Sequence, residues 1–256
     1  MMDIIKSGKS DKLTYKVYQT RTEMGVAAAK EAAEAINALI EKKGDINMIF
    51  AAAPSQNEFL AALINDKSID FSKINAFHMD EYIGLPSDAP QGFGNFLRRA
   101  IFDKVPFNSV NTIDSSAQDA ETECERYTEL LKKHPCDIVC MGIGENGHIA
   151  FNDPHVADFN DEKVVKVVSL DEVCRMQQVN DGCFKKLEDV PKYALTLTIP
   201  TLIAPEYIFC MVPAKTKANA VKATLEGPIS EKCPATVLRN HSNAVLYLDS
   251  DSASLI

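Results

Sequence analysis

The sequence has no Cys-x-x-Cys pair, no excess of basic residues and no stretch approaching the roughly 20 consecutive apolar residues of a membrane span. The seven cysteines, an odd number scattered through runs that read as core or helix, are therefore expected to be reduced thiols and not zinc ligands or a disulfide framework. Lysine plus arginine number 27 against 36 aspartate plus glutamate, and the resulting net charge of −9 argues against nucleic acid or an anionic membrane as a partner. Net charge does not exclude phosphate, because a few cations and backbone N–H groups can converge locally. The opening residues Met1-Met2-Asp3-Ile4-Ile5-Lys6-Ser7 lack the apolar core of a signal peptide, so a soluble, cytoplasmic protein is expected. No internal repeat, low-complexity tract or Ser/Gly-rich linker interrupts the 256 residues, which predicts a single domain over 1–256.

Two cofactor classes find no support either. His78, His134, His148, His155 and His241 are dispersed, without the i, i+4 pair of a helical zinc site. Gly142-x-Gly144-x-x-Gly147 runs on into His148-Ile149-Ala150-Phe151-Asn152 and does not open a helix as a dinucleotide fingerprint does, so neither a metal nor a nucleotide cofactor is expected.

What is present is an alternation of apolar runs and amphipathic segments. Residues 13–18 alternate like a strand, and Thr20, three residues before Glu23, offers a capping box for a long alanine-rich helix that should stop near Gly44. Residues 46–53 read as a buried strand, and Ser55 with Glu58 offers a second capping box for a helix through Ile64. Further strands are expected at 74–77, 137–141, 164–168, 193–199, 207–212 and 244–248. Helices are expected through 97–101, from a cap at Asp114 or Ser116 to about Lys133, over 170–178, and from Lys217 through Leu225. This order predicts an α/β fold: a mostly parallel, open, Rossmann-like sheet with helices on both faces.

In such sheets ligands bind beyond the C-terminal strand ends, where loops and helix N-termini converge. Four strand ends should bring Ser55, Gln56 and Asn57, then Asp80, then His148 with Asp153, then Lys217 to one edge of one sheet. Asp80 and Glu81 are neighbours in an extended stretch and face opposite ways, so one of them faces a given site. A carboxylate, an imidazole and a second carboxylate suit general acid–base work, since histidine titrates near neutrality and an acid partner fixes its tautomer. Taken singly, each feature also has a structural account: Gly-Asn-Gly is ordinary turn chemistry, a carboxylate pair can solvate a turn, and most capped helices bind nothing.

Phe77-His78-Met79-Asp80-Glu81-Tyr82-Ile83-Gly84-Leu85, the segment from Gly142 through His148-Ile149-Ala150-Phe151-Asn152 to Pro154, and Val190-Pro191-Lys192-Tyr193-Ala194-Leu195-Thr196 resemble the glucosamine-6-phosphate deaminase/isomerase family. The likeness covers nearly the whole chain. The related 6-phosphogluconolactonases share the fold and a Gly-x-x-Gly-His turn but continue differently after the histidine. The resemblance implies conversion of glucosamine 6-phosphate and water to fructose 6-phosphate and ammonia without a nucleotide cofactor. It assigns Asp80 to the proton transfer from carbon 2 to carbon 1 and His148 to opening of the sugar ring. Asp153 takes the place of a longer glutamate in the ring-opening group, so its contact with His148 should need a water or a shifted loop. Asn146, where an aspartate is common, joins that group but can only hydrogen-bond. Lys217 matches a lysine that holds substrate phosphate, and Ser55, Gln56, Asn57 and Gly144 fall in the substrate-binding turns.

There are departures from the pattern. The glycine-rich phosphate loop is here Ala53-Pro54-Ser55-Gln56-Asn57-Glu58, which has no glycine and carries an acid, and the family's phosphate-gripping arginine finds only Arg175, at a shifted place. A galactosamine 6-phosphate deaminase, a 6-phosphogluconolactonase-like hydrolase and a non-enzymatic sugar-phosphate sensor are the competing readings. Members of the family range from monomers to hexamers, which leaves a homo-oligomer open.

Overall fold

The computed structural model describes residues 3–180 and 182–256; Met1 and Met2 of the opening segment lie outside the described residues. The elements are β1 (Lys6–Ser10), β2 (Leu13–Tyr18), α1 (Arg21–Lys43), β3 (Ile46–Phe50), α2 (Asn57–Leu63), β4 (Ile74–His78), β5 (Asp80–Tyr82), α3 (Phe93–Leu97), β6 (Ser109–Asn111), α4 (Ala120–Lys133), β7 (Ile138–Met141), β8 (Val165–Ser169), α5 (Glu172–Asn180), β9 (Tyr193–Leu197), α6 (Ile199–Ile203), β10 (Tyr207–Val212), α7 (Ala218–Glu226) and β11 (Ala244–Asp249). Among the described residues no helix is long and apolar enough to cross a membrane.

Eight strands form one sheet in the order β1-β2-β11-β10-β7-β3-β4-β6, and every pairing except β1 with β2 is parallel. The alternation of side chains along each strand feeds two cores, one on each face. In β7, Ile138 and Cys140 join Met24, Ala28, Ala32 and Ile36 of α1 and Phe59 and Leu63 of α2 on one face. Val139 and Met141 join Tyr127 and Leu131 of α4 and Val221 and Leu225 of α7 on the other. The small alanines of α1 let that helix lie close to the sheet, and the predicted capping box is formed: Thr20 Oγ1 accepts from Glu23 N, and Glu23 accepts from Thr20 N at 3.0 Å.

The expectation of a single sheet needs correcting. The segments expected as strands at 164–168 and 193–199 become β8 and β9, and with β5 they make a separate antiparallel sheet in the order β5-β9-β8. The stretch between β8 and β9 contains α5 and is long enough for a parallel crossover, so its length could not reveal that the strands pair antiparallel. Two helix starts also differ. Ser55 and Glu58 form no capping box: residues 54–56 make a 3₁₀ turn led by Pro54, α2 begins at Asn57 without a side-chain cap, and Glu58 pairs with Arg21. α4 is capped by Asp119 and not by Asp114 or Ser116, because Asp114 accepts from both the N–H and the hydroxyl of Ser116 in a local turn of its own.

Candidate functional site

Beyond the C-terminal end of β7 the chain turns through Gly142 and Gly144, and here glycine is required: a Cβ at Gly144 would lie 2.1 Å from the His148 ring. The imidazole therefore lies against bare backbone. Its Nδ1 is 2.9 Å from Asp153 Oδ1 and 2.8 Å from Asn146 Oδ1, while Asn146 Nδ2 donates to the same Asp153 oxygen at 2.9 Å. Both neighbours of Nδ1 are acceptors, which puts the proton on Nδ1 and leaves the Nε2 lone pair for a ligand. Of the two expected routes, a water or a shifted loop, the loop makes the contact: Ala150, at φ 49°, and the Asn152 N to Ile149 O bond of 3.1 Å curl it so that the short Asp153 side chain reaches back. Asp153 is fully buried, and burial alone would raise its pKa. The bonds from His148, Asn146 and Cys174 outweigh that penalty and hold the carboxyl below its ordinary range. Cys174 of α5 sits behind this pair, with ligand-type atoms of the three residues within 4.8 Å of one another. Burial, reinforced by the Asp153 charge, raises the Cys174 thiol, so the thiol stays protonated beside the carboxylate that His148 Nδ1 already engages.

Asp80 arrives from a different element. It opens β5, two residues past the end of β4, lines the same cleft and is only 7% exposed. Burial, with the adjacent Glu81 charge adding to it, raises its pKa well above the ordinary value. Glu81 faces the other way, and its carboxylate accepts from the N–H groups of Tyr82, Phe93 and Gly94 at 2.8–3.0 Å, fixing the start of α3. His78 is also structural: Nε2 accepts from Ile113 N at 2.8 Å, and burial, with the Arg98 charge adding to it, lowers its pKa to about 3. The small sheet ties Asp80 to the histidine loop through two adjacent residues of β9. Thr196 is the register partner of Asp80 on β9, and its Oγ1 accepts from Phe151 N at 3.1 Å, while Asn152 Nδ2 donates to Leu197 O at 2.9 Å. Tyr82 packs on Phe93, Phe151 and Phe184 with ring centroids 4.8–5.4 Å apart and closes the wall behind them.

The remaining wall comes from three other junctions. Ser55, in the turn after β3, and Thr216 and Lys217, between β10 and α7, line the cleft, and Lys217 is buried to 7% exposure. A Cβ at Gly142 would meet Ser55 Oγ at 3.1 Å and Met211 O at 3.3 Å, so the 54–56 turn lies beside the end of β10 that leads to Lys217. Gln56 and Asn57 are not in the lining. Gln56 is fully buried with Nε2 donating to Met141 O at 3.1 Å, because the tight turn after Pro54 points it inward, and Asn57 is exposed on the first turn of α2. Arg175 is also outside the lining, bonded to the carbonyls of Leu187 and Val190 at 2.7 and 3.0 Å. α5 contributes Gln177 and Gln178 to the lining instead.

Sequence reasoning missed Arg21, Thr216, Gln177, Gln178 and Ala214. Ala214 has φ 85°, a conformation that disfavours a side chain, and its N–H is held 3.1 Å from both carboxylate oxygens of Asp249. The signal for Arg21 lay in the junction of β2 with α1: β2 runs parallel to β11, so this junction opens at the same sheet edge as the others.

In chemical terms the cleft holds a desolvated carboxylate, an imidazole with its acid partner, and cationic side chains beside a turn. The sequence profile of the family described as glucosamine-6-phosphate isomerases/6-phosphogluconolactonase matches residues 19–247. A glucosamine-6-phosphate deaminase of Listeria monocytogenes serotype 4a (strain HCC23) is 35% identical over 235 residues, 92% of this chain and 98% of that protein. One of Streptococcus suis (strain 05ZYH33) is 35% identical over 221 residues, 86% and 92% of the two chains. A solved monomeric glucosamine-6-phosphate deaminase superposes with a TM-score of 0.86 at 32% identity, covering 94% of this chain and 99% of its own. A 6-phosphogluconolactonase from Thermotoga maritima superposes at 0.76 with 19% identity over 93% and 100%, a likeness of fold alone.

Proposed function

Because the chain belongs to the glucosamine-6-phosphate isomerase/6-phosphogluconolactonase family, we propose that it is a glucosamine-6-phosphate deaminase, acting as a single domain over 1–256 in the cytoplasm. The reaction takes glucosamine 6-phosphate and water to fructose 6-phosphate and ammonia. The observation that carries this reading within the family is the buried Asp80 carboxylate in the cleft that His148, backed by Asp153, also lines. A lactone hydrolase has no carbon-bound proton to move and no use for such a base.

His148 opens the ring: its Nε2 accepts the proton of the carbon 1 hydroxyl and returns one to the ring oxygen as the bond between that oxygen and carbon 1 breaks. Asp153 stabilises the transient imidazolium, and Asn146 keeps both groups in place. Asp80 then takes the proton from carbon 2 of the open aldose, giving an enolamine as the carbon 1 oxygen gains a proton, and delivers its proton to carbon 1 as the amine loses one. The resulting ketimine is hydrolysed by water, which releases ammonia and leaves the carbonyl at carbon 2. Desolvation suits Asp80 to the task, since a carboxylate with a raised pKa is a stronger base toward a carbon acid. Ser55, Thr216 and Lys217 hold the phosphate, and Gly144 lets the sugar approach the backbone beside His148.

An ammonia-release assay over a panel of amino-sugar 6-phosphates tests the proposal, with glucosamine 6-phosphate expected as the preferred substrate. Preference for the galacto epimer would move the substrate assignment, lactone hydrolysis without ammonia release would replace the reaction, and binding without turnover would make the protein a sensor.

A further inference from the structure

We propose that Arg21 contacts the anionic end of the substrate directly, and that Glu58 is the positioning residue that aims it. The inference rests on the reading of the substrate as a sugar phosphate. It accounts for how an anion is held beside a turn without glycines and with an acid next to it.

The guanidinium is only partly used within the protein. Nε donates to Glu58 Oε1 at 2.7 Å, and Nη2 donates to Glu58 Oε2 at 2.9 Å and to Pro54 O at 2.8 Å. Nη1 has no hydrogen-bond partner among the described residues, and Arg21 lines the cleft while Glu58 does not. The side-on pairing fixes the plane of the fork, so the two N–H bonds of Nη1 keep a set direction. Nη2 anchors the fork to Pro54 O, in the turn carrying Ser55, which itself lies beside the β10 end leading to Lys217.

The placement is built into the packing of two helices. One turn after Arg21, a Cβ at Gly25 would lie 2.6 Å from Glu58 Cβ and 2.8 Å from Phe59 N, so only a glycine lets α1 meet the start of α2 this closely. Arg21 is also the first residue of α1, where the helix dipole disfavours a cation. An ion pair tying two helices would gain nothing from that location, and a half-exposed pair of this kind contributes little to stability. The acid of the 53–58 segment is thus turned into the holder of a cation, and the charge presented to the cleft is positive.

Two measurements test the proposal: steady-state kinetics with glucosamine 6-phosphate, and binding of inorganic phosphate followed by titration calorimetry. For Arg21→Ala, KM is expected to rise about 10- to 100-fold, the loss of a charge-assisted contact, with kcat within about threefold and phosphate affinity falling in parallel. Arg21→Lys should fall between, since an ammonium paired with Glu58 has no second fork to offer. The double variant Arg21→Ala/Glu58→Ala separates contact from neutralisation. A KM that stays raised supports the contact; a KM that returns to within about twofold of wild type overturns it, because the arginine would then only mask Glu58. Wild-type protein that binds no phosphate also overturns it. Phosphate binding that is lost in Arg21→Ala, in a protein that deaminates no amino-sugar phosphate, would keep this role and remove the deaminase reading alone.

Discussion

Two groups of residues make up the cleft and its support, with His148 and Asp80 in the lining and Asn146 and Asp153 behind them, and they are held in unlike ways. His148, Asn146 and Asp153 come from eight consecutive positions and satisfy one another, and Asp80 is locked to them through the β5–β9 register and Thr196. Arg21, Ser55, Thr216 and Lys217 come from three separate junctions and are aimed by helix starts and by neighbours outside the cleft. The first group suits chemistry, where a displacement of a proton-transfer group by an ångström is costly, and the second suits grip, where several weaker contacts add. Substitutions should therefore fall on kcat in the first group and on KM in the second.

The largest effect is expected for Asp80→Asn. An amide of the same shape cannot accept the carbon 2 proton, so kcat should fall by about 100- to 10,000-fold or more, with the melting temperature nearly unchanged. Activity within about tenfold of wild type would remove Asp80 from the proton shuttle. His148→Gln should lower turnover of the cyclic amino sugar by about 100-fold and leave an acyclic analogue, which has no ring to open, within about threefold. Equal loss on both substrates would place the histidine on the shuttle and erase the division of labour within the first group.

Lys217→Ala sharpens the contrast from the other side. Its KM should rise about 10- to 100-fold with a smaller change in kcat, as for a contact made alike in ground and transition states. A fall confined to kcat would mean that the lysine belongs with the chemical group. The smallest effect concerns Ala214→Gly, which removes a side chain from a left-handed backbone position. Strain relief should outweigh the added freedom of the unfolded chain, giving about 1 kcal/mol, a rise in melting temperature of about 2–4 °C for a chain of this size. A lower melting temperature would show that the Ala214 methyl packs usefully.

The same contrast decides what could be read from the sequence. The histidine loop was legible because its members are contiguous and its glycines mark a turn, and Asp80 because a strand and an adjacent carboxylate pair announce it. The parallel sheet followed from apolar runs separated by helix-length segments. Gln56 and Asn57 looked as well placed as Ser55 by their distance from a strand end, but side-chain direction depends on the turn that carries them, and Pro54 begins a 3₁₀ turn where an α-helical cap was expected. Arg21 was overlooked because nothing near it in sequence is reactive; its place in the cleft wall depends on Glu58 and Gly25, through contact between helices. The small antiparallel sheet escaped because the segment joining β8 to β9 is long enough for either hand of pairing.

Thr196 faces Asp80 across the β5–β9 ladder and holds Phe151 N with its hydroxyl, and a ladder shifts only in whole residues. A slip of β5 by one residue would turn Asp80 to the opposite face and present Glu81 in its place. The facing of Asp80 is thus a digital quantity: neutral drift in the surrounding side chains can alter the shape of the cleft by small degrees, whereas the register that turns this carboxylate inward is inherited whole or lost in one step.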